Sequence, residues 1–302
     1  MGKIAFVFSG QGDQYPGMGK ELYEQYASAK SVFERCDRLR PGTSRQCFAG
    51  SEAELKETKN TQPCLFSVEF AAAKVLCELG IKPDAVAGFS LGEVVAATFA
   101  GLVDPEIGFR LVCRRGELMQ EAAEKHETSM AAVVKLTNEQ VEKLCSHYAQ
   151  VYPVNFNCPG QVSVAGLTEE MAAFAMDVKE AGGKAIPLKV KGAFHSPFMA
   201  EAATVFADEL SKVAFKKNDV TLYSNMTAEP YGDNAAELLS KQICNPVHWE
   251  SLIRYMIASG VDTFIEIGPG KTLTNMIGKI DSAVKRYTVS DLSAILSEVK
   301  PC

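Results

Sequence analysis

Apolar positions fall into short runs and helical stripes that alternate along the chain. Ile4–Phe8 is an unbroken apolar run of strand length. The spacing then predicts a helix near Pro63–Glu78, a strand at Ala85–Phe89 and a helix near Glu93–Ala100. That alternation predicts a mainly parallel sheet. A further helix is expected over Pro105–Lys125, with Asp104 as N-cap and Pro105 as its first residue. From about Ser129 to Val190 the rhythm changes. It reads as strand (Met130–Lys135), helix (Asn138–Tyr148), strand (Val151–Phe156), strand (Gln161–Ala165), helix (Glu169–Ala181) and strand (Ala185–Val190). This β-α-β-β-α-β order is the ferredoxin-like arrangement. The expectation is an α/β protein in which residues 128–191 form a small subdomain inserted into a large one built from 1–127 and 192–302. A helix from near Pro197 and a last strand, Thr263–Ile267, leading through Gly-Pro-Gly to a helix at Lys271, complete it.

Two segments carry candidate chemistry. Gly88-Phe89-Ser90-Leu91-Gly92 follows the apolar strand and opens a small-residue helix, the strand–turn–helix setting in which G-x-S-x-G holds a nucleophilic serine. The hydroxyl would sit at a helix N-terminus, where backbone N–H groups favour developing negative charge. The alternative is that Ser90 merely caps that helix, with the glycines serving only a tight turn; the strand–turn–helix context favours the nucleophile. A serine nucleophile needs a base, and the chain has four histidines. His126 and His147 sit in polar, surface-like stretches. His195 precedes Ser196-Pro197, which reads as an N-cap and first helical residue, so a turn could aim its ring at a cleft.

On the helix Pro105–Lys125 the apolar stripe runs Ile107, Leu111, Leu118, Ala122, and Arg115 falls on it. Arg110, Arg114, Glu117 and Glu121 occupy the polar face. A guanidinium on a core-facing stripe needs an anion, because an unpaired buried charge costs several kcal/mol. That anion could be an internal carboxylate or a substrate carboxylate held bidentately.

Composition narrows the class. A net charge of −6 argues against a nucleic-acid partner, which would need clustered Lys and Arg. The nine cysteines are scattered without C-x-x-C spacing, so neither a disulfide framework nor a zinc site is suggested, and a reducing, cytoplasmic location fits. No apolar run is long enough for a membrane span. Gly270-Lys271-Thr272 lacks the earlier P-loop glycine, since position 265 is Ile, and Gly10-x-Gly12 is not completed, since position 15 is Tyr. No metal, dinucleotide or other cofactor is indicated.

An ordered set of motifs spans nearly the whole chain: Phe8–Gln14, Gly88–Glu93, Arg115-Gly116, Asn155–Gln161, Gly192–His195, Asn245–Trp249 and Glu266–Lys271. In sequence and order they resemble the malonyl-CoA:acyl carrier protein transacylases, a family that includes the acyltransferase domains of polyketide synthases. The resemblance implies an α/β-hydrolase-like large subdomain with a ferredoxin-like insertion. It also implies Ser90 as acyl acceptor, His195 as base, Arg115 on the malonyl carboxylate, and the Leu91 and Gln11 N–H groups as oxyanion hole. The partners implied are malonyl-CoA and the phosphopantetheine arm of an acyl carrier protein. Phe194, in Gly-Ala-Phe-His, resembles the signature that goes with malonyl rather than methylmalonyl. In the family a backbone carbonyl near the position of His248 orients the base, which makes His248 a candidate site residue. Phe89 stands where the family commonly has His, His248 where it often has Gln, and Asp13 where it usually has Ser. Carrier proteins are acidic, so Lys184, Lys189 and Lys191 are candidates for docking. Two rivals remain at this level: a serine hydrolase on a related fold, and a silent docking module.

Overall fold

The structure is a computed structural model that describes residues 2–299; Cys302, one of the nine cysteines, lies outside them. Strand β1 (Lys3–Phe8) leads through a glycine-rich loop into α1 (Lys20–Gln25), α2 (Ala27–Leu39), α3 (Thr43–Ala49), α4 (Glu52–Lys56) and the long α5 (Thr58–Glu78). Strand β2 (Ala85–Gly88), α6 (Leu91–Phe99) and α7 (Pro105–Ala123) follow. Next come β3 (Thr128–Val134), α8 (Asn138–Cys145), β4 (Val151–Cys158), β5 (Gln161–Leu167), α9 (Thr168–Glu180) and β6 (Lys184–Pro187). The rest comprises α10 (Ala200–Leu210), β7 (Thr221–Leu222), α11 (Ala235–Lys241), α12 (Trp249–Ala258), β8 (Val261–Ile267), α13 (Thr272–Ile280), β9 (Lys285–Thr288) and α14 (Leu292–Glu298).

Two sheets result. The five-stranded sheet has order β7-β2-β1-β8-β9 and is parallel throughout. Its central strands β2, β1 and β8 are buried along most of their length, as expected where helices cover both sides, while the edge strands β7 and β9 carry exposed polar residues. The four-stranded sheet has order β4-β5-β3-β6 and is antiparallel. Its fourth strand in sequence lies beside its first, which is the ferredoxin-like topology.

Several elements differ from the sequence expectation. Helix α5 begins at Thr58, so Pro63 lies inside it. The proline removes one backbone bond, the one to the Lys59 carbonyl near the helix start. The first turn is held instead by the buried Thr61, whose hydroxyl donates to the Leu55 carbonyl at 2.6 Å. Thr263–Ile267 is not the last strand: β9 pairs beyond β8 at the sheet edge. The four helices between residues 20 and 56 are absent from the sequence expectation: α1, α3 and α4 have only five to seven residues, whereas α2, with 13 residues and Ala29, Val32, Phe33 and Cys36 buried at helical spacing, carries a readable stripe. Strand β6 stops at Pro187, which has no N–H for the ladder, and the chain turns away over residues 188–190. Pro197 opens a 3-10 turn, Pro197–Met199, before α10, and Ser196 does not cap it. Its hydroxyl donates to the Ala193 carbonyl at 2.5 Å and closes the turn that carries His195.

The join between β2 and α6 is the tightest point of the parallel sheet. A Cβ on Gly88 would fall on the Gly92 carbonyl, and one on Gly92 on the Phe8 and Ser9 carbonyl oxygens. Backbone, which cannot swing away, is the obstacle in both cases. Gly92→Ala should therefore cost about 1–3 kcal/mol, as overpacking does, and lower the midpoint of thermal unfolding; an unchanged midpoint would show that the helix slides to accommodate it.

Candidate active site

Ser90 sits between β2 and α6 with φ 56 and ψ −106, a conformation L-residues rarely adopt. Such strain costs of order 1–3 kcal/mol and is characteristic of functional turns. It raises the side chain above the ends of the parallel strands. Its hydroxyl makes no helix-capping bond, so the capping alternative is not the one realised. Its Oγ lies 2.7 Å from His195 Nε2.

His195 is buried and itself at φ 60. Its Nδ1 donates to the Gln242 carbonyl at 2.8 Å. With that proton on Nδ1, Nε2 is the free lone pair facing Ser90. Burial first, and the nearby Arg115 charge second, push the imidazole down to about 4. It is therefore neutral, and able to accept a proton, throughout the physiological range. The orienting carbonyl lies before the Asn245-Pro246 turn, not at His248. His248 stacks flat on Phe156, centroids 5.2 Å apart, and does not line the cavity at Ser90. Its part is indirect, since its N–H donates to the Asn225 carbonyl.

Arg115 is fully buried, as its place on the α7 stripe demands. Nη1 donates to Gln62 Oε1 at 3.0 Å, and Nη2 to Gln242 Oε1 at 2.8 Å and to Ser90 Oγ at 3.3 Å. Nε has no partner. No carboxylate of the described residues lies within ion-pair distance of it. Burial lowers the guanidinium to about 10 while Glu93 opposes that shift, so it stays charged at neutral pH. Of the two anions weighed above, an internal carboxylate in direct contact is not present.

Gln11 lies in the loop after β1. That loop is pinned by Ser9 Oγ donating to the buried Glu69 at 2.5 Å and by Thr272 Oγ1 donating to Asp13 at 2.7 Å. Among the described residues, neither the Gln11 nor the Leu91 N–H donates to a protein acceptor. Both residues border the cavity of about 90 Å³ around Ser90, with Phe89, Arg115, Phe194 and His195. Leu188 and Val190, the residues that leave β6, close its other side. Phe89 packs edge-on against Trp249 at 5.5 Å. A second cavity of about 230 Å³ shares Gln11, Phe89, Asn155 and Leu188 with the first, so the two lie side by side. A larger cavity, about 530 Å³ between α2, α5 and α7, holds no histidine and no part of the Ser90 cluster, so size does not locate the chemistry here.

Sequence reasoning singled out neither Gln242 nor Asn225. Asn225 Oδ1 accepts the Ser90 N–H at 2.7 Å and its Nδ2 donates to the Gly88 carbonyl at 2.5 Å, so it grips the elbow on both sides. Gln242 Nε2 donates to the Ser90 carbonyl at 2.6 Å. Gln242 follows the buried Leu238 and Leu239 at helical spacing. A polar residue on an apolar stripe, the signal that marked Arg115, would have found it. Asn225 lies in an irregular stretch and has no such signal. Among the described residues, no group of three or more His, Cys, Asp or Glu side chains is placed to hold a metal ion.

The model of the acyl transferase domain family matches residues 5–292. A malonyl CoA-acyl carrier protein transacylase of Bacillus subtilis (strain 168) is 40% identical, over 98% of this chain and 96% of its own. The crystal structure of a malonyl CoA-acyl carrier protein transacylase from Clostridium perfringens ATCC 13124 superposes with TM-score 0.95 at 37% identity, covering 99% of this chain and 97% of that one. The malonyl-transacylase in a complex with its type II PKS acyl-carrier protein superposes with TM-score 0.94 at 32% identity, covering 98% and 99% of the two chains. With its strained serine, neutral histidine and buried arginine assembled across the ends of the parallel strands, the chain belongs to the acyl transferase domain family, among the malonyl-CoA:acyl carrier protein transacylases.

Proposed function

We propose that this enzyme moves the malonyl group of malonyl-CoA to the phosphopantetheine thiol of an acyl carrier protein through a malonyl-Ser90 ester, for fatty-acid or polyketide synthesis. The observation that carries the choice of acyl group is Arg115: a buried guanidinium with no carboxylate partner and an unpartnered Nε, its Nη2 3.3 Å from the nucleophile. A malonyl carboxylate lies two bonds beyond the thioester carbonyl, so the acyl group that reaches Ser90 would bring the missing anion to Arg115. Buried, that pairing gains more than an exposed one.

His195 Nε2 takes the Ser90 proton as Oγ attacks the thioester carbon. The Leu91 and Gln11 N–H groups receive the oxyanion. As the C–S bond breaks, the CoA sulfur leaves with the proton from His195. The carrier thiol then gives its proton to His195, attacks the ester, and returns Ser90 with its hydrogen. Arg115 is one of two causes that depress the base, so a carboxylate seated on it also strengthens His195 for the bound substrate. The adjoining cavity is where we place the pantetheine arm, beside Ser90. Asn155 and Asn157 border it, a polar patch of the kind an amide-bearing arm meets. The reading includes a large subdomain of 1–127 and 192–302, a small one of 128–191, and a cytoplasmic location. Among the described residues no helix is long and apolar enough to cross a membrane, and the described cysteines are free.

Mass spectrometry after incubation with malonyl-CoA or acetyl-CoA tests the assignment. The wild type should gain a malonyl group on Ser90 and Ser90→Ala none. Arg115→Ala should slow malonylation about 10- to 100-fold, the loss of a 1.5–3 kcal/mol charged hydrogen bond, and leave acetylation much less affected; equal loss with both acyl groups would sink the carboxylate clamp. Phe194 narrows the space beside the base, so Phe194→Ala should raise methylmalonyl relative to malonyl transfer by about 10- to 200-fold, the range one methyl can command in a pocket. An unmoved ratio would leave Phe194 as packing.

Lys189 and Lys191 are exposed and alternate with Leu188 and Val190, which face the Ser90 cavity. Lys184 is exposed on the edge strand β6. This cationic rim beside the site entrance is the docking face we assign to the acidic carrier. Reversing Lys189 and Lys191 to Glu should raise KM for carrier protein, most at low salt, without changing acylation of Ser90 by malonyl-CoA. If both half-reactions slow together, the lysines serve the CoA phosphates or the fold instead.

A further inference from the structure

One buried carboxylate behind the nucleophile has no part in the transfer steps above. Glu93, on the first turn of α6, is fully buried. Its Oε1 accepts from the Asn225 N–H at 2.9 Å and from the Tyr231 hydroxyl at 2.7 Å, and its Oε2 from Gln242 Nε2 at 2.8 Å. All three partners donate, which is the complement of a carboxylate, not of a carboxylic acid. No cation of the described residues touches it; the nearest, Arg115, is reached through the Gln242 carboxamide, whose Nε2 faces Glu93 and whose Oε1 faces the guanidinium. A carboxamide has one donating and one accepting side, so an anion on the first fixes which atom meets the cation. The same Gln242 holds the Ser90 carbonyl through Nε2 and His195 through its own carbonyl.

We propose that Glu93 is the positioning residue of this site: its carboxylate locks the Gln242 carboxamide with oxygen toward Arg115, and so aims the guanidinium at the incoming acyl carboxylate while keeping Ser90 and His195 in register. The proposal rests on the assignment of Arg115 to that carboxylate. Without Glu93 as acceptor, the Gln242 NH2 is held only by the Ser90 carbonyl at 2.6 Å and, at 3.4 Å, by Asn225 Oδ1, so the hold on the carboxamide's direction weakens and the NH2 can turn toward Arg115, donor against donor, at the expense of the bond to Ser90. Burying the interior anion is what keeps it close to titration: desolvation raises Glu93 to about 7, against the opposing pull of Tyr231, Asn225, Gln242 and Arg115. These groups, from α7 and from the segments flanking α11, are the ones that act on it, Tyr231, Asn225 and Gln242 by direct bonds and Arg115 by its charge. As pH falls through that value Glu93 takes up a proton and stops accepting from Gln242. His195, down at about 4, does not titrate in that range.

The test is Glu93→Gln in the full chain, which keeps volume but sets an NH2 against that of Gln242. The expected result is a folded enzyme with KM for malonyl-CoA raised and kcat/KM for malonyl transfer lowered about tenfold or more. Acetyl transfer should fall less, and the acidic limb of kcat/KM near pH 7 should vanish, leaving only a fall near pH 4. Wild-type kinetics with the limb intact would overturn the proposal. Tyr231→Phe, which removes one donor from Glu93 and contacts neither Gln242 nor Arg115 through that hydroxyl, gives a second reading that survives a misfolded Glu93→Gln. It should move the limb to higher pH, because the carboxylate loses a stabilising bond; a limb that stays in place counts against Glu93. The Ser90 malonyl adduct in wild type and its slowing in Arg115→Ala, measured on the same preparations, test the underlying assignment separately.

Discussion

A guanidinium carried into the interior without a carboxylate in contact organises this site. Arg115 is held by amide oxygens of Gln62 and Gln242 and by the nucleophile itself. Neutral acceptors satisfy hydrogen-bonding geometry but supply only part of the desolvation cost of a buried charge. The remainder falls to Glu93, one carboxamide away, whose charge is felt without contact. The arrangement leaves the guanidinium stable enough to stay charged and underprovided enough to welcome an anion. A direct Arg–Glu pair would satisfy the interior and leave little for a substrate.

The same network couples the cation to the nucleophile. Gln242 meets Arg115, Glu93, the Ser90 carbonyl and the imidazole, and Asn225 clasps both sides of the elbow. The strain at Ser90 and His195, both at positive φ, is sustained because these bonds over-determine the two turns. A backbone carbonyl does the orienting that an aspartate does in many serine enzymes. It fixes the tautomer without adding negative charge, so burial and Arg115 hold the base near 4.

The fold supplies the meeting place. Parallel strands deliver the ends of β1, β2 and β8 to one edge of the sheet, where ligands of open α/β sheets commonly bind. The loop after β1 brings Gln11, the elbow after β2 brings Ser90, and the turn after β8 leads into α13, whose Thr272 steadies Asp13. Across that edge the antiparallel sheet contributes Asn155 from β4 and, where β6 ends, Leu188 and Val190. The cavity is thus walled by both sheets, which suits chemistry in which water must be kept from an acyl ester.

Local physics made part of this legible in the sequence. The elbow is readable because Gly88 and Gly92 answer a steric demand between adjacent elements, and Arg115 because a helix places every residue of its stripe on a known face. The βα and ferredoxin-like orders follow from apolar periodicity alone. Other features depend on surroundings. Pro63 signals a helix start, yet the Thr61 bond to Leu55 and neighbouring turns carry the helix back to Thr58. The motif around His248 makes it a candidate site residue, yet its ring stacks on Phe156 and only its backbone N–H serves the site, through the Asn225 carbonyl. Glu93 stood in a recognised motif with no visible task, and Gln242 and Asn225 went unremarked, because their roles arise only when segments far apart in the chain close on Ser90. The sequence by itself determined which groups could react and which faces they occupy. Only the tertiary structure decided their protonation and direction, since both are set by burial and by hydrogen bonds between residues that the chain holds far apart until it folds.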